Sequence, residues 1–169
     1  LVGSEMCIRD RYNLDASRVV VTGMSAGGHL SLTTGMIPSS AGLDRQCAER
    51  AFSGPRAPDP ANVAAIINWY GITDVVDLLA GPNTKGYAVE WLGSLVNREK
   101  VAARVSPLTY VSRDVPPILT IHGDADPIVP YQHALRLQEK LNEASVPNEL
   151  HTVPRGRHGR FNDEATIEI

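Results

Sequence analysis

A serine stands at the centre of a Gly-x-Ser-x-Gly motif formed by residues 23–27. The apolar run Arg18–Thr22 precedes the motif, and a helical pattern follows it from Gly27. This order predicts a sharp turn from a strand into a helix, which would present the Ser25 hydroxyl above the edge of a sheet. The positive end of the helix and the backbone N–H of Ala26 would then face a developing oxyanion. The motif therefore predicts a nucleophilic serine.

Two glycines, Gly23 and Gly27, carry no Cβ, which we expect to let the crowded turn close. A glycine-rich turn without chemistry is one alternative for this segment, and a phosphate-binding loop is another. The second alternative lacks the lysine of the nucleotide-binding motif. The strand before the motif and the helix after it favour the nucleophile.

A serine needs a base to take its proton, and that base needs a carboxylate to orient it. The segment His122–Pro130 follows a predicted strand and holds two candidates, Asp124 and Asp126. Carboxyl ends of parallel strands meet at one edge of a sheet, so both can approach the serine. Pro127 restricts Asp126 to an extended backbone, whereas Asp124 resembles a turn residue. Asp126 is favoured on these grounds, and Asp124 stays open.

His158 is the candidate base, in a glycine-flanked loop after the last predicted strand. A histidine there can lie between the serine and the acid, and the order serine, acid, histidine is that of hydrolases built on such elbows. No spacing of a zinc site occurs, so neither a metal nor a cofactor is predicted. The other histidines are given structural roles. His29 is expected to pack, His122 to occupy a hydrogen-bonded core position, and His133 and His151 to lie at surface or packing positions.

Four apolar runs rich in β-branched residues predict strands: Val19–Thr22, Ala64–Asn68, Ile118–Ile121 and Glu149–Val153. The first three are almost continuously apolar, which predicts parallel strands covered on both faces. Helices are predicted at Gly27–Ile37 and at Tyr131–Ser145. The alternation predicts an α/β fold, a mostly parallel sheet of about four strands with flanking helices.

Two longer segments, Pro38–Asn62 and Asp74–Val115, are predicted to be excursions, the second with a short helix near Tyr87–Leu95. Long excursions are often binding loops or lids. Tyr70, at the end of the second strand, and Trp91, on the short helix, are candidates to line a substrate pocket. Core packing is the alternative for both aromatic residues.

The composition is that of one globular domain, with 169 residues, a net charge of −3 and 43% hydrophobic residues. The small negative charge gives no reason to expect nucleic acid as a partner. No apolar run reaches the roughly 20 residues that a membrane span requires. Two cysteines, Cys7 and Cys47, indicate no disulfide framework.

Residues 1–11 resemble the translation of a sequencing-library adapter, and we interpret them as a scar outside the native protein. The segment 162–169 starts a helical pattern and stops without a cap. We therefore expect residues 12–169 to be an internal fragment of a longer gene product.

Six short segments carry a family resemblance when taken together: Met24–Leu30, Trp69–Gly71, Ser106–Leu108, His122–Asp126, Val129–Pro130 and Gly156–Gly159. They resemble bacterial α/β-hydrolases, with esterases and lipases related to feruloyl esterases as the nearest groups. Dienelactone hydrolases and prolyl oligopeptidase-like peptidases are more distant. The resemblance implies that the acid is the second aspartate of the His-Gly-x-x-Asp loop, Asp126. It also implies that residues 12–169 are the C-terminal part of a single catalytic domain, whose first strands and second oxyanion donor lie upstream of residue 12.

The expected function is hydrolysis of a small-molecule carboxylic ester by Ser25, His158 and Asp126, with Ala26 as oxyanion donor and Tyr70 at the substrate. A serine peptidase of the prolyl oligopeptidase type and a non-catalytic binding module are the alternatives. The isolated chain is expected to be poorly soluble and inactive, because an apolar sheet edge would be exposed and one oxyanion donor lost. No compartment or oligomeric state is predicted.

Overall fold

A computed structural model describes residues 12, 15, 18–43, 63–159 and 161. The predicted adapter scar at 1–11, most of the first excursion and the helical pattern at 162–169 lie outside the described residues.

Four parallel strands form the sheet, and they lie side by side in the order in which they occur in the chain. Each contains the corresponding predicted strand, so the predicted α/β fold is confirmed. The strands are β1 (Val19–Met24), β2 (Val63–Trp69), β3 (Ile118–Gly123) and β4 (Asn148–Val153).

The four described helices are α1 (Ala26–Met36), α2 (Gly86–Leu92), α3 (Arg98–Val105) and α4 (Gln132–Glu143). The first and last match the two predicted long helices, and α2 overlaps the predicted short one but begins one residue earlier. The helix α3 was not predicted; it has eight residues and is too short to be stable alone. Three 3₁₀ turns accompany them: Ser39–Ala41, Val76–Leu78 and Pro107–Tyr110.

The main core joins α1 and α4 to the sheet. Leu32 of α1 and Leu137 of α4 are fully buried and share a cluster with Ile66 and Ile118 of the central strands. Burial of one such side chain contributes roughly 1.5–3 kcal/mol. This cluster holds α1 and α4 against the strands β2 and β3.

The expectation that the first three strands are covered on both faces holds for β3 and is wrong for β1. Five of the six residues of β3 are buried. In β1 every second residue is exposed, with Val20 at 51% and Met24 at 62% of their full exposure. Within the described part of the chain, one side of β1 is therefore left open.

The second excursion has a small core of its own. Val75 and Leu78 pack with Ala88 and Leu92 of α2 and with Ala102 of α3. The second excursion, which was predicted to be a long connection with one short helix, therefore forms a compact layer of short helices. This packing explains why α3 is helical despite its length, since tertiary contacts supply what local propensity lacks.

Candidate active site

The turn between β1 and α1 holds Ser25 in a strained backbone conformation, with φ 55° and ψ −117°. Such a conformation costs about 1–3 kcal/mol and persists only where its surroundings impose it. The N–H of Ser25 donates to the Trp69 carbonyl at 2.9 Å, and the Ser25 carbonyl accepts the His29 N–H at 3.0 Å. The predicted elbow is therefore present, and β2 anchors it.

The glycines around the elbow differ from the expectation in one respect. A Cβ on Gly23 would collide with the Gly27 carbonyl, so a side chain is excluded there, as expected. A Cβ on Gly27 would meet no described atom. The crowded position is Gly28, where a Cβ would come within 2.7 Å of Asn68 Oδ1. The turn therefore closes through Gly23, and α1 approaches β2 through Gly28.

His158 lies between the serine and Asp126. Its Nε2 is 2.8 Å from Ser25 Oγ, and its Nδ1 is 2.8 Å from Asp126 Oδ2. Because an ionised carboxylate only accepts, Nδ1–H donates to it, and Nε2 is left to accept the serine proton. The His158 side chain keeps 21% of its exposure, so the contact lies at the surface of the molecule.

Asp126 is held as a buried carboxylate. Burial alone would raise its pKa, but hydrogen bonds from His122, His158 and the N–H groups of Ile128 and Val129 outweigh it and lower the pKa to about 2. The two N–H groups donate to Oδ1 at 2.8 and 3.0 Å. The acid is therefore ionised at neutral pH, with one oxygen fixed by the backbone and the other turned to His158.

Asp124, the acid that residue reasoning left open, faces a different partner. Its Oδ1 accepts the N–H of Arg155 at 2.6 Å. The Ala125 N–H donates to the Gly156 carbonyl at 3.1 Å in the same region. Asp124 thus fastens the loop that carries the histidine, and Asp126 is the aspartate that contacts it.

His122 is the functional contact that residue reasoning missed. It was assigned to a hydrogen-bonded core position, and its side chain is indeed fully buried. Its Nε2 lies 3.1 Å from the Val129 carbonyl and 3.4 Å from Asp126 Oδ2, while its Nδ1 has no described hydrogen-bond partner. Its position four residues before the acid was the available signal. His122 therefore lies beside Oδ2, the same carboxylate oxygen that faces His158.

Tyr70 is buried, with 6% of its full exposure, and it has a positive φ of 41°. Its ring packs edge-on against the His158 ring at 4.8 Å and against Phe161 at 5.4 Å. Tyr70 therefore contacts the predicted base directly. Its predicted contact with substrate stays a prediction.

Ala26 is the first residue of α1. Its N–H has no acceptor in a preceding helical turn, as is general for the start of a helix. The residue also lines an apolar cavity of about 300 Å³ between α1 and the second excursion, together with Trp91. Trp91 was a pocket candidate in the sequence, and it lines this cavity while remaining 60% exposed.

Neither a metal site nor a membrane-spanning helix occurs in the described ranges. No three His, Cys, Asp or Glu side chains converge there in a way that could hold a metal ion. None of the helices described is both long enough and apolar enough to cross a membrane.

Comparison with known proteins gives a consistent family. The BD-FAE family model matches residues 8–141. The esterase LipC of Mycobacterium tuberculosis is 28% identical over 142 residues, which are 80% of this chain and 33% of LipC. The mouse acylamino-acid-releasing enzyme is 28% identical over 147 residues, 86% of this chain and 18% of that enzyme.

Among solved structures, a truncated carbohydrate esterase from gut microbiota superimposes with a TM-score of 0.65 and 28% identity. The match covers 89% of this chain and 55% of that one. The chain thus spans about a third of the length of LipC and about half of the solved esterase.

Proposed function

The chain belongs to the BD-FAE family of α/β-hydrolases, and from that premise we propose that it cleaves carboxylic esters by a Ser-His-Asp triad through an acyl-enzyme. Relatives named as esterases support the reaction class. One observation carries the proposal. Two contacts of 2.8 Å connect Ser25 Oγ, the His158 ring and the Asp126 carboxylate in a single line.

The first half of the reaction forms the acyl-enzyme. His158 Nε2 takes the hydroxyl proton while Ser25 Oγ bonds to the ester carbonyl carbon, and the carbonyl electron pair moves onto oxygen. The ionised Asp126 stabilises the imidazolium that results. Its low pKa suits this role, because it remains an acceptor while His158 carries the proton.

The oxyanion needs donors, and we assign one of them to the N–H of Ala26. A single donor of this kind contributes roughly 100- to 1000-fold to the rate. Collapse of the tetrahedral species breaks the bond to the alcohol oxygen, which takes the proton from His158 Nε2. Water then repeats the sequence, giving its proton to His158 and releasing the carboxylic acid and free Ser25.

Labelling by a fluorophosphonate probe tests the nucleophile, using purified full-length variants of the protein. We expect the wild type to be labelled and Ser25→Ala to be unlabelled and inactive on esters. Ser31→Ala is the matched control, since Ser31 lies on the same helix and its hydroxyl donates to the Gly27 carbonyl. Labelling that persists in Ser25→Ala would exclude Ser25.

A serine peptidase is the second candidate, and the match to the acylamino-acid-releasing enzyme favours it. An ester and an amide with the same acyl group separate the two. An esterase hydrolyses only the ester at a useful rate, and a peptidase hydrolyses both. A binding module, the remaining alternative, would hydrolyse neither and would not react with the probe.

A further inference from the structure

The cavity beside the elbow has walls of apolar carbon. Ala26 and Leu30 of α1 form one side, and Ile72, Val75 and Trp91 lie across from them. Ligand pockets are usually apolar with a few polar groups that fix orientation. The composition of this wall therefore favours an apolar ligand.

Three residues of the wall carry side-chain polar atoms, His29, Tyr87 and the 60% exposed Trp91, and the first two make hydrogen bonds outside the cavity. His29 Nδ1–H donates to the Ile72 carbonyl at 2.9 Å, and burial lowers the pKa of His29, so the ring is neutral at pH 7. The Tyr87 hydroxyl donates to the Ile128 carbonyl at 3.3 Å. An apolar group can therefore fill the cavity without leaving these two atoms unpaired, which would otherwise be costly.

The position of the cavity decides which part of an ester it would receive. Ala26, whose N–H faces the carbonyl oxygen in the proposed reaction, lines the cavity. His158, which must reach the leaving oxygen, is not among the lining residues. We propose, on the basis of the ester hydrolysis proposed above, that the cavity binds the acyl group of the substrate.

The volume sets the size of that group. A cavity of roughly 150 Å³ lined by apolar side chains holds one benzene molecule. A cavity of about 300 Å³ therefore fits an acyl group of about six to ten carbon atoms. Trp91, 60% exposed at its border, gains contact with such a group, and Leu30, 62% exposed, lies on the opposite side.

The cavity wall is fastened to the acid loop. Lys85 Nζ donates to the Pro127 carbonyl at 2.8 Å, immediately before α2, and Tyr87 at the start of α2 bonds to Ile128. These contacts join the cavity wall to the two residues that follow Asp126. We therefore expect acyl length to affect kcat/KM.

A series of p-nitrophenyl esters from acetyl to dodecanoyl tests the assignment. Each methylene added up to about eight carbons should raise wild-type kcat/KM by roughly fourfold, the value of one buried methylene. Leu30→Trp should flatten the series by filling the cavity, and Trp91→Ala should weaken the gain for long chains. Both positions are exposed, so neither change threatens the core. Leu95→Ala is the matched control, since Leu95 is 54% exposed on the same excursion and does not line the cavity.

A second series fixes the acyl group and lengthens the alcohol. If Leu30→Trp changes only the alcohol series, the cavity holds the alcohol and the assignment is overturned. If it changes neither series while Ser25-dependent hydrolysis persists, the cavity is not a subsite, although the proposed function stands. If the probe does not label Ser25 in the wild type, the proposed function itself is contradicted.

Discussion

Asp126–His158 and Asp77–His133 are aspartate–histidine pairs in two different regions of the described chain, and the first of them faces a serine. Asp126 and His158 lie at the rim of the sheet, 2.8 Å apart. Asp77 and His133 lie where the second excursion meets α4, 3.2 Å apart. The His158 side chain is 21% exposed, whereas His133 is fully buried. The same two residue types therefore serve two different regions.

The surroundings of His133 leave it no role as a base. Its Nδ1 accepts the N–H of Thr73 at 3.1 Å and lies 3.4 Å from the N–H of Asp74. Burial, and then the positive charge of Arg136, lower the pKa of His133 to about 4 against the opposing pull of Asp77 and Asp74. Arg136 also pairs with Asp77 at 2.9 Å. This carboxylate is thus shared with a cation, and the imidazole is held neutral.

The comparison shows what turns such a pair into a candidate for catalysis. His158 has one nitrogen oriented by a carboxylate and the other directed at a hydroxyl. His133 has one nitrogen used by backbone N–H groups. A histidine acts as a base only if its second nitrogen is unprotonated and accessible to a proton donor. The second pair instead ties the excursion, and with it the cavity wall, to α4.

The largest expected effect comes from replacing the carboxylate of each pair, Asp126 or Asp77, with an amide. Asp126→Asn should lower kcat by roughly 10⁴-fold, since the amide no longer fixes the tautomer of His158. Asp77→Asn should leave kcat within about threefold and lower the urea midpoint instead, because it removes a partner of Arg136. Steady-state kinetics and urea titration of both variants measure the contrast. Equal losses of kcat would mean that the two pairs do not differ as described.

A smaller effect is expected at His122, which touches the acid but not the serine. His122→Leu removes the contact with Asp126 Oδ2, and we expect kcat to fall by roughly 10-fold, as for one hydrogen bond to a charged group. His122→Gln keeps a donor and should restore part of the rate. The pKa of Asp126 should rise in the leucine variant, and NMR titration of its carboxyl carbon measures this. An unchanged pKa in a folded His122→Leu protein would show that His122 has only a packing role.

The last prediction concerns acid stability and no change in rate, and it tests the role of His133. Its folded-state pKa of about 4 lies below the ordinary value of 6.5, so the unfolded chain takes up the proton first. The contribution of His133 to stability should therefore be constant above pH 6.5 and fall as the pH drops from 6.5 to 4, by at most about 3 kcal/mol. Urea unfolding across this range measures the slope, and His133→Gln should reduce it. A slope that is identical in the variant would assign the acid sensitivity to other groups.

The sequence predicted much of the fold because the relevant signals are local. The four strands were identified from short β-branched runs, and the Gly-x-Ser-x-Gly motif located the elbow between β1 and α1. The helix α3 was not predicted, because its stability depends on the packing of Ala102 against Val75 and Leu78, which are distant in the chain. The exposure of one side of β1 was not predicted for a similar reason. A continuous apolar run does not show which other elements are present to cover the strand.

The sequence by itself determined that a serine, an aspartate and a histidine follow three strands of one parallel sheet, since type and order along the chain are local facts. Only the tertiary structure decided that Asp126 rather than Asp124 turns to His158, that His122 supports the acid and that His133 supports the excursion. Those distinctions depend on the directions of side chains, and on small differences in distance, between groups that are far apart in the chain. Hydrogen-bonding geometry decides among chemically identical side chains, and residue spacing alone does not fix it.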